Sequence, residues 1–468
     1  MKQDQKLHFV AIGGIGMSGI AAVMHGRGAQ ISGSDLKESD VTRRLREAGM
    51  TVEIGHKAEN VGDVDLVVVS AAVPDDNPEV VAAKEKGIPV VSRAEMLGRL
   101  MAEYKHRIAI SGTHGKTTTT SMASLMLLEA GLDPTILIGG DMEAIAGNAK
   151  LGAGDIFLTE ACEAFSSFLH LHPSIAVVTN IDADHLDHHG SLENIKGVFR
   201  QFLSQVDDDG CIIACGDDEN LQEIIPALNR RVVQYGIGSD NEIRAVDVDI
   251  DSATASFEVE RKGERLGRVS LGTPGLQNVL NALAVIGVGI ELGARFGVIQ
   301  SALAKYKGVG RRFEILGEAS GVMVVDDYAH HPTEIAATLD AAKHGWKRRI
   351  VAVFQPHLYS RTRFFLKDFA RSLSLADHVI ITDIYAAREK PIPGVCASQI
   401  VEAMATEGKT AEYIADKREI PDRLLPELQP DDMVIVMGAG DIRIVGEEIF
   451  ARLSETIHKS DKVEVLPK

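Results

Sequence analysis

Arg107-Ile108-Ala109-Ile110-Ser111-Gly112-Thr113-His114-Gly115-Lys116-Thr117-Thr118-Thr119-Thr120 is the stretch on which the reading of this chain turns. A short β-branched and apolar run enters a Gly-x-x-Gly-Lys-Thr loop, and an apolar, helix-like segment from Met122 to Ala130 follows. Strand, loop and helix in that order make a phosphate cradle. The glycines let backbone N–H groups turn inward and the helix N-terminus adds positive dipole. Lys116 adds a full charge, and Thr117 offers a hydroxyl to Mg²⁺. Ile110 stands where a strict Walker A motif has its first glycine, so the loop is a compressed form. A glycine-rich turn before a core helix is the plain alternative, but it leaves the Lys-Thr pair unexplained.

Composition narrows the classes. A length of 468 residues predicts about three domains. The net charge of −18 excludes broad nucleic-acid binding, which needs a basic face. No charge-free apolar run reaches the ~18 residues of a membrane span, so no membrane insertion is expected. Met1–Lys6 runs directly into a strand-like segment without a leader pattern. Cys162, Cys211, Cys215 and Cys396 form no CxxC pair, which fits reduced thiols and a cytoplasmic protein.

Outward from the loop toward the N-terminus, Leu7–Ile12 reads as a buried strand. It enters Gly13-Gly14-Ile15-Gly16-Met17-Ser18-Gly19 and an apolar helix. Gly14-x-Gly16-x-x-Gly19, with Asp35 ending the next strand, is a dinucleotide fingerprint. Read alone it points to NAD or FAD. The physics is broader: such a loop holds a pyrophosphate, and the acid meets a sugar hydroxyl, so a nucleotide-diphosphate sugar also fits. Val64–Ser70 and Ile88–Ser92 continue a parallel sheet, and His56 and Ser70 fall at loop positions that could reach a ligand.

Toward the C-terminus, Asp155–Glu160 and Ser174–Ile181 are strands ending in Glu160 and in Asp182-Ala183-Asp184-His185-Leu186-Asp187. Ligands gather at such carboxyl ends, and the carboxylates with Thr117 suit Mg²⁺ better than zinc. Residues 240–272 alternate polar and apolar as antiparallel hairpins. Asn278 and Asn281, one turn apart on an Ala/Val-rich helix, suit a cap or a ligand equally. From Arg311 a further α/β pattern begins. Its strand ends carry Asp327, His330, His331, Arg361 and Arg363, and arginine presents a bidentate fork to carboxylate or phosphate.

The predicted fold is therefore α/β in three domains. Residues 1–106 form a Rossmann-like domain. Residues 107–310 form a P-loop-type ATPase domain, with a parallel sheet plus a small antiparallel one. Residues 311–468 form a second Rossmann-like domain. A pyrophosphate loop, an NTP loop and an arginine-bearing last domain suit an ATP-driven ligase, since hydride transfer has no use for an Mg-NTP site.

With Gly112–Thr119, Glu160-Ala161-Cys162-Glu163, Thr179-Asn180-Ile181, Gly310-Arg311-Arg312-Phe313, Asp326–Glu334 and Gln355-Pro356-His357 in view, the chain resembles the Mur ligase family over nearly its whole length. The resemblance implies a cytoplasmic enzyme of peptidoglycan synthesis. It would join L-alanine to the lactyl carboxylate of UDP-N-acetylmuramate through an acyl phosphate, with ATP and two Mg²⁺ ions, as a monomer or homodimer. A sister activity that recycles a murein peptide shares the first two sites.

The resemblance also implies roles. Gly14, Ile15, Gly16 and Ser18 would hold the UDP pyrophosphate, with Asp35, His56 and Ser70 near the uridine. Gly112, Thr113, His114, Gly115, Lys116, Thr117 and Thr118, with Asn278, Asn281 and Arg312, would bind ATP. Thr117 and Glu160 would ligate one Mg²⁺, and Glu160 with His185 a second. Tyr328, His330, Arg361 and Arg363 would form the amino-acid pocket, and Lys116, Glu160, His185 and Arg361 would act in catalysis. Leu358 stands where many members have arginine, which shifts the carboxylate clamp to Arg361 or Arg363. Phe199 takes the place of the carbamylated lysine of sister ligases, so Lys196 is given no such role.

Overall fold

The computed structural model describes residues 4–251, 254–387 and 389–460, with side chains as far as residue 455. Met1–Gln3 and residues 461–468, assigned above to the first and third units, lie outside the described residues. Three sheets follow one another along the chain.

The first sheet has five parallel strands in the order Thr51–Ile54, Gln30–Asp35, Lys6–Val10, Leu66–Val69, Val90–Ser92. Val10 pairs with Ser34 and Val69, so the glycine loop, Asp35 and Ser70 leave the sheet at one edge. Leu7, Phe9, Val67 and Val68 are fully enclosed, as continuous apolar strands covered on both faces must be.

The second sheet has ten strands. His106–Ser111 lies between Ile175–Val178 and Ile156–Glu160, parallel to both. Ser111, Val178 and Glu160 thus end at the same level, and the phosphate loop opens between the other two strand ends. Thr135–Met142 and the antiparallel Gly147–Lys150 complete this side. On the other side the hairpin strands Ile243–Ile250, Ala255–Arg261 and Glu264–Leu271 do not form a separate sheet. Tyr235 pairs in parallel with Ile243, so they extend the main one. Helix Lys116–Glu129 packs against helix Leu276–Glu291, whose Gly287 and Gly289 admit Ile213 and Ile299 at close range.

The third sheet runs Glu314–Ala319, Val322–Asp327, Asp432–Met437, Arg349–Phe354, His378–Ile381, Glu412–Tyr413, parallel except for its first pair. Its strand ends face the carboxyl edge of the second sheet, which brings Asp327 and Arg361 to a common junction with the phosphate loop.

Candidate active site

The phosphate loop depends on both its glycines. Gly112 has φ +125°, and a Cβ there would sit 2.0 Å from Thr179 Oγ1. Gly115 has φ +84°, and its Cβ would sit 2.6 Å from Asn281 Oδ1. L side chains avoid this region, so the loop can follow its path only with glycine. The neighbouring strand end holds the loop in place. The Thr113 N–H donates to the Asn180 carbonyl at 3.0 Å, and the His114 N–H donates to Asn180 Oδ1 at 2.8 Å. Helix Lys116–Glu129 starts directly after Gly115 and aims its unpaired N–H groups at the loop interior.

Lys116 is folded back on this cradle. Its ammonium donates to the Gly112 and Thr113 carbonyls and lies 3.0 Å from Glu163 Oε2. Burial would lower its pKa, but Glu163 holds it well above the usual lysine range. Thr117 Oγ1 donates to Glu160 Oε2 at 3.2 Å, and the Gly139 N–H donates to Glu160 Oε1 at 2.7 Å. Burial nevertheless raises the Glu160 pKa, so these donors together with Lys116 and Arg312 fall short of compensating its charge. A carboxylate in that condition, beside a threonine hydroxyl, is a good fit for a hard divalent cation.

Two cavities flank this contact. The larger, about 570 Å³, lies between the second and third sheets. Gly115, Thr117, Thr118, Asn278, Asn281 and Arg312 line it, and Asp327 closes one wall. Burial pushes the Asp327 carboxyl up to about 6. Asn281 Oδ1 accepts from Thr119 Oγ1 at 3.1 Å, whereas Asn278 Nδ2 donates to the Pro274 carbonyl at 2.6 Å; each asparagine thus combines a structural bond with a place in the wall.

The smaller cavity, about 280 Å³, lies between the first and second sheets and is lined by Gly14, Ile15, Gly16, Ser70, Arg93 and Glu160. Ser18 is buried behind the loop, and its hydroxyl donates to the Ile15 carbonyl at 3.0 Å. Asp35 Oδ2 accepts from the Gly13 N–H at 2.9 Å, while His56 Nδ1 is 2.9 Å from Ser34 Oγ; neither lines this cavity, though both lie at the same sheet edge.

The third domain contributes a row of polar rings. Arg311 and Arg312 stack over Tyr328 at 4.8 and 5.0 Å from its centroid. Tyr328 meets His330 edge-on at 5.3 Å, His330 meets His357 at 5.7 Å, and Arg361 Nη1 is 3.1 Å from His357 Nδ1. Arg361 is buried and donates through Nη2 to Asp184 Oδ1 of the second domain at 2.5 Å. Burial would raise the Asp184 carboxyl, but Arg361 outweighs it and holds the group well below the carboxylate range.

Residues 6–105 match the Mur ligase family, catalytic domain; residues 110–289 match the Mur ligase middle domain; residues 311–440 match the Mur ligase, glutamate ligase domain. The chain belongs to the Mur ligase family. A UDP-N-acetylmuramate–L-alanine ligase of Trichlorobacter lovleyi is 51% identical over 452 residues, covering 96% of this chain and 99% of that protein. The same-named protein of Geobacter sulfurreducens is also 51% identical, with 96% and 98% covered. Among solved structures, a UDP-N-acetylmuramate-alanine ligase from Thermotoga maritima superposes with a TM-score of 0.82 at 31% identity, covering 96% of this chain and 99% of that one. A murein peptide ligase from Psychrobacter arcticus shares the fold at 23% identity, with a TM-score of 0.71 and coverage of 99% and 100%.

Two sequence expectations need correction in this Mur ligase. Arg363 does not join the ring cluster. It is exposed and lies over Phe364, 5.2 Å from the ring centroid, because residues two apart on a short helix point in different directions. Of the two arginines, Arg361 alone reaches the ring cluster. Leu358 itself is buried, at φ +69°, and its N–H donates to the Tyr385 carbonyl at 3.0 Å. His185 does not pair with Glu160; its nearest carboxylate is Asp184, at 3.7 Å.

Lys196 pairs with Glu193 and Glu223, and Phe199 is sealed in the core against Phe168. Arg93, Glu163 and His357 carry no role in the sequence reading, and Asp184 enters it only within the acidic cluster at the strand end, yet the fold brings all four into this arrangement. Each sits within or beside a quoted motif or strand end, but its partner is far along the chain. Among the described residues no helix is long and apolar enough to cross a membrane.

Proposed function

We propose that this Mur ligase joins L-alanine to the lactyl carboxylate of UDP-N-acetylmuramate in the cytoplasm, converting ATP to ADP and phosphate, as a step in peptidoglycan precursor synthesis. The observation that carries this reading is where the two cavities meet. Thr117 lines the larger and Glu160 the smaller, and the two are hydrogen bonded. A γ-phosphate in one cavity and a carboxylate in the other would face each other across that contact. The division of labour is residues 1–106 for the UDP-sugar, 107–310 for ATP and 311–468 for the amino acid.

The chemistry follows from the residues. A carboxylate is a poor acyl donor until its oxygen carries a phosphoryl group. Lys116 leaves Glu163 for the phosphates and offsets the charge that spreads over the transferring group. Thr117 and Glu160 would hold Mg²⁺. Bound there, Mg²⁺ supplies positive charge against the phosphate oxygens. Arg361, His330 and Tyr328 would seat the amino acid so that its free amine faces the acyl phosphate. The amine nitrogen attacks the acyl carbon, the C–O bond breaks, and phosphate leaves with that bond's electrons and takes up the proton the nitrogen sheds as the amide forms. The Arg361–Asp184 bond joins the second and third domains, so closure excludes water that would hydrolyse the intermediate.

Phosphate release with UDP-N-acetylmuramate, ATP and L-alanine tests the reading against the same mixture with a tripeptide acceptor. Release only with the tripeptide would make the protein a recycling ligase. Quenching of NADH fluorescence on addition of the protein would return the first glycine loop to its dinucleotide reading.

A further inference from the structure

At the inner junction of the second and third domains, three side chains from distant parts of the chain converge: His114 of the phosphate loop, Asp182 after strand Ile175–Val178, and His331 at the start of helix Pro332–Gly345. We propose that they form a site for one divalent transition-metal ion of the zinc class, separate from the Mg²⁺ position at Thr117 and Glu160.

Geometry is the first support. His114 Nε2 lies 3.0 Å from Asp182 Oδ2, His331 Nδ1 lies 3.7 Å from the same oxygen, and the three ligand atoms lie within 4.8 Å of one another. Ligand bonds of about 2.0–2.1 Å at a tetrahedral angle place ligand atoms about 3.3–3.4 Å apart. The two edges to Asp182 bracket that value, and the ion would draw the two imidazoles, within 4.8 Å of one another, in to it.

The outer contacts are the second support. A metal-binding imidazole is normally oriented through its other nitrogen, by a carboxylate or a backbone carbonyl. Both histidines show this. His114 Nδ1 is 3.2 Å from Glu334 Oε1, a carboxylate that can only accept. His331 Nε2 is 3.3 Å from the Ala183 carbonyl, while its Nδ1 accepts a long bond, 3.3 Å, from the Thr333 N–H. The proton of His331 is therefore on Nε2, and its single Nδ1 lone pair, which now accepts from the Thr333 N–H, would exchange that long bond for the ion. Thr333 Oγ1 donates to Asp182 Oδ2 at 2.7 Å and orients the third ligand. The ion would replace the His114 Nε2 proton that now lies against Asp182.

Access and selectivity are the third. A surface cavity of about 460 Å³ reaches Asp182 and His331 from outside, and the nucleotide cavity reaches His114 and Asp182 from inside. A fourth ligand, water or a phosphate oxygen, can enter from either side. Two imidazoles and one carboxylate select a borderline ion, whereas Thr117 and Glu160 offer only oxygen. Because the ligands come from two domains, the bound ion would hold them together and slow a turnover that needs them to part.

Cobalt(II) as a spectroscopic stand-in, added to the full chain without nucleotide and with excess Mg²⁺, tests this. One equivalent should give intense tetrahedral d–d absorption, and zinc should displace it. His331→Asn keeps an acceptor for the helix cap but removes the imidazole, and should weaken cobalt binding by roughly a hundredfold or more. Asp182→Asn should do the same, while Glu160→Gln should leave the signal intact. No stoichiometric signal in the wild-type chain, unchanged affinity in His331→Asn, or loss of the signal in Glu160→Gln would each overturn the proposal.

Discussion

Asp184→Asn isolates the contact that ties the amino-acid pocket to the second domain. Asp184 and Arg361 retain only 9% and 4% of their side-chain exposure, and among the described residues the Arg361 guanidinium has one other close partner, His357. The asparagine keeps the acceptor that now receives the His185 N–H at 2.7 Å, so the local turn survives and only the charge is lost. Removing one partner of a buried ion pair costs about 3–5 kcal/mol, because the other charge stays desolvated. Here the protein has an escape: the domains can part and let Arg361 return to water. The cost therefore appears in the closing equilibrium rather than in the stability of either domain. Steady-state phosphate release at varied L-alanine should show kcat/KM reduced by roughly 10²–10³-fold, near the lower end of that energy range. Calorimetric binding of UDP-N-acetylmuramate and the thermal midpoint should be unchanged, since Asp184 does not line the sugar cavity. A kcat/KM within about twofold of wild type, below ~0.5 kcal/mol, would refute the view that this pair assembles the pocket.

Lys116→Ala should abolish ATP-dependent phosphate release while UDP-sugar binding stays measurable by calorimetry; near wild-type turnover would remove the central assignment. Arg93→Ala should raise the UDP-sugar Kd by roughly 10–100-fold, since Arg93 lines that cavity beside the glycine loop and charged hydrogen bonds contribute about 1.5–3 kcal/mol; an unchanged Kd would leave Arg93 without a role there. Gly112→Ala should lower the thermal midpoint and eliminate nucleotide binding, through a left-handed φ costing about 1–3 kcal/mol and a clash with Thr179, and a normal nucleotide Kd would show that the loop can re-route.

Glu79 gives a pH prediction. Burial opposes its charge, but hydrogen bonds from His8, Ser34 and Asn60 win and hold its pKa at about 2, against 4.5 unperturbed. A depressed pKa stabilises the fold above the unfolded value and loses that contribution as pH falls from about 4.5 to 2, on the order of 3 kcal/mol in all. Glu79→Gln should therefore lower the thermal midpoint at pH 7, and the gap from wild type should narrow on acidification; a gap independent of pH would contradict this.

What could be read from the sequence was what neighbouring residues determine. Continuous apolar runs such as Ile108–Ile110 and Ala176–Val178 specify strands buried on both faces, and Gly-Lys-Thr following one specifies the cradle. The hairpin alternation over 243–271 was legible too, but its fusion to the main sheet rests on the single parallel pairing around Tyr235 and Ile243, which no periodicity announces. The misses have one cause. Arg361 and Asp184 are 177 positions apart, and Lys116 and Glu163 are 47 apart, so their pairing exists only once the sheets have formed and docked. Arg363 misled because composition cannot tell which face of a one-turn helix meets the site.

The strand Gly147–Lys150 ends the ten-stranded sheet, and its outer backbone groups would be open to pairing with another chain. The helix that begins at the first glycine loop, Ile15–Gly26, lies across this end of the sheet, and Asn148 Nδ2 donates to the Ile15 carbonyl at 2.6 Å. Packed there, the first domain would hinder a second chain from pairing with that border. A fragment made by cutting near residue 106 would lose its sugar site and gain a sticky border, so the ligand pocket and the colloidal stability of the rest of the protein rest on the same few residues.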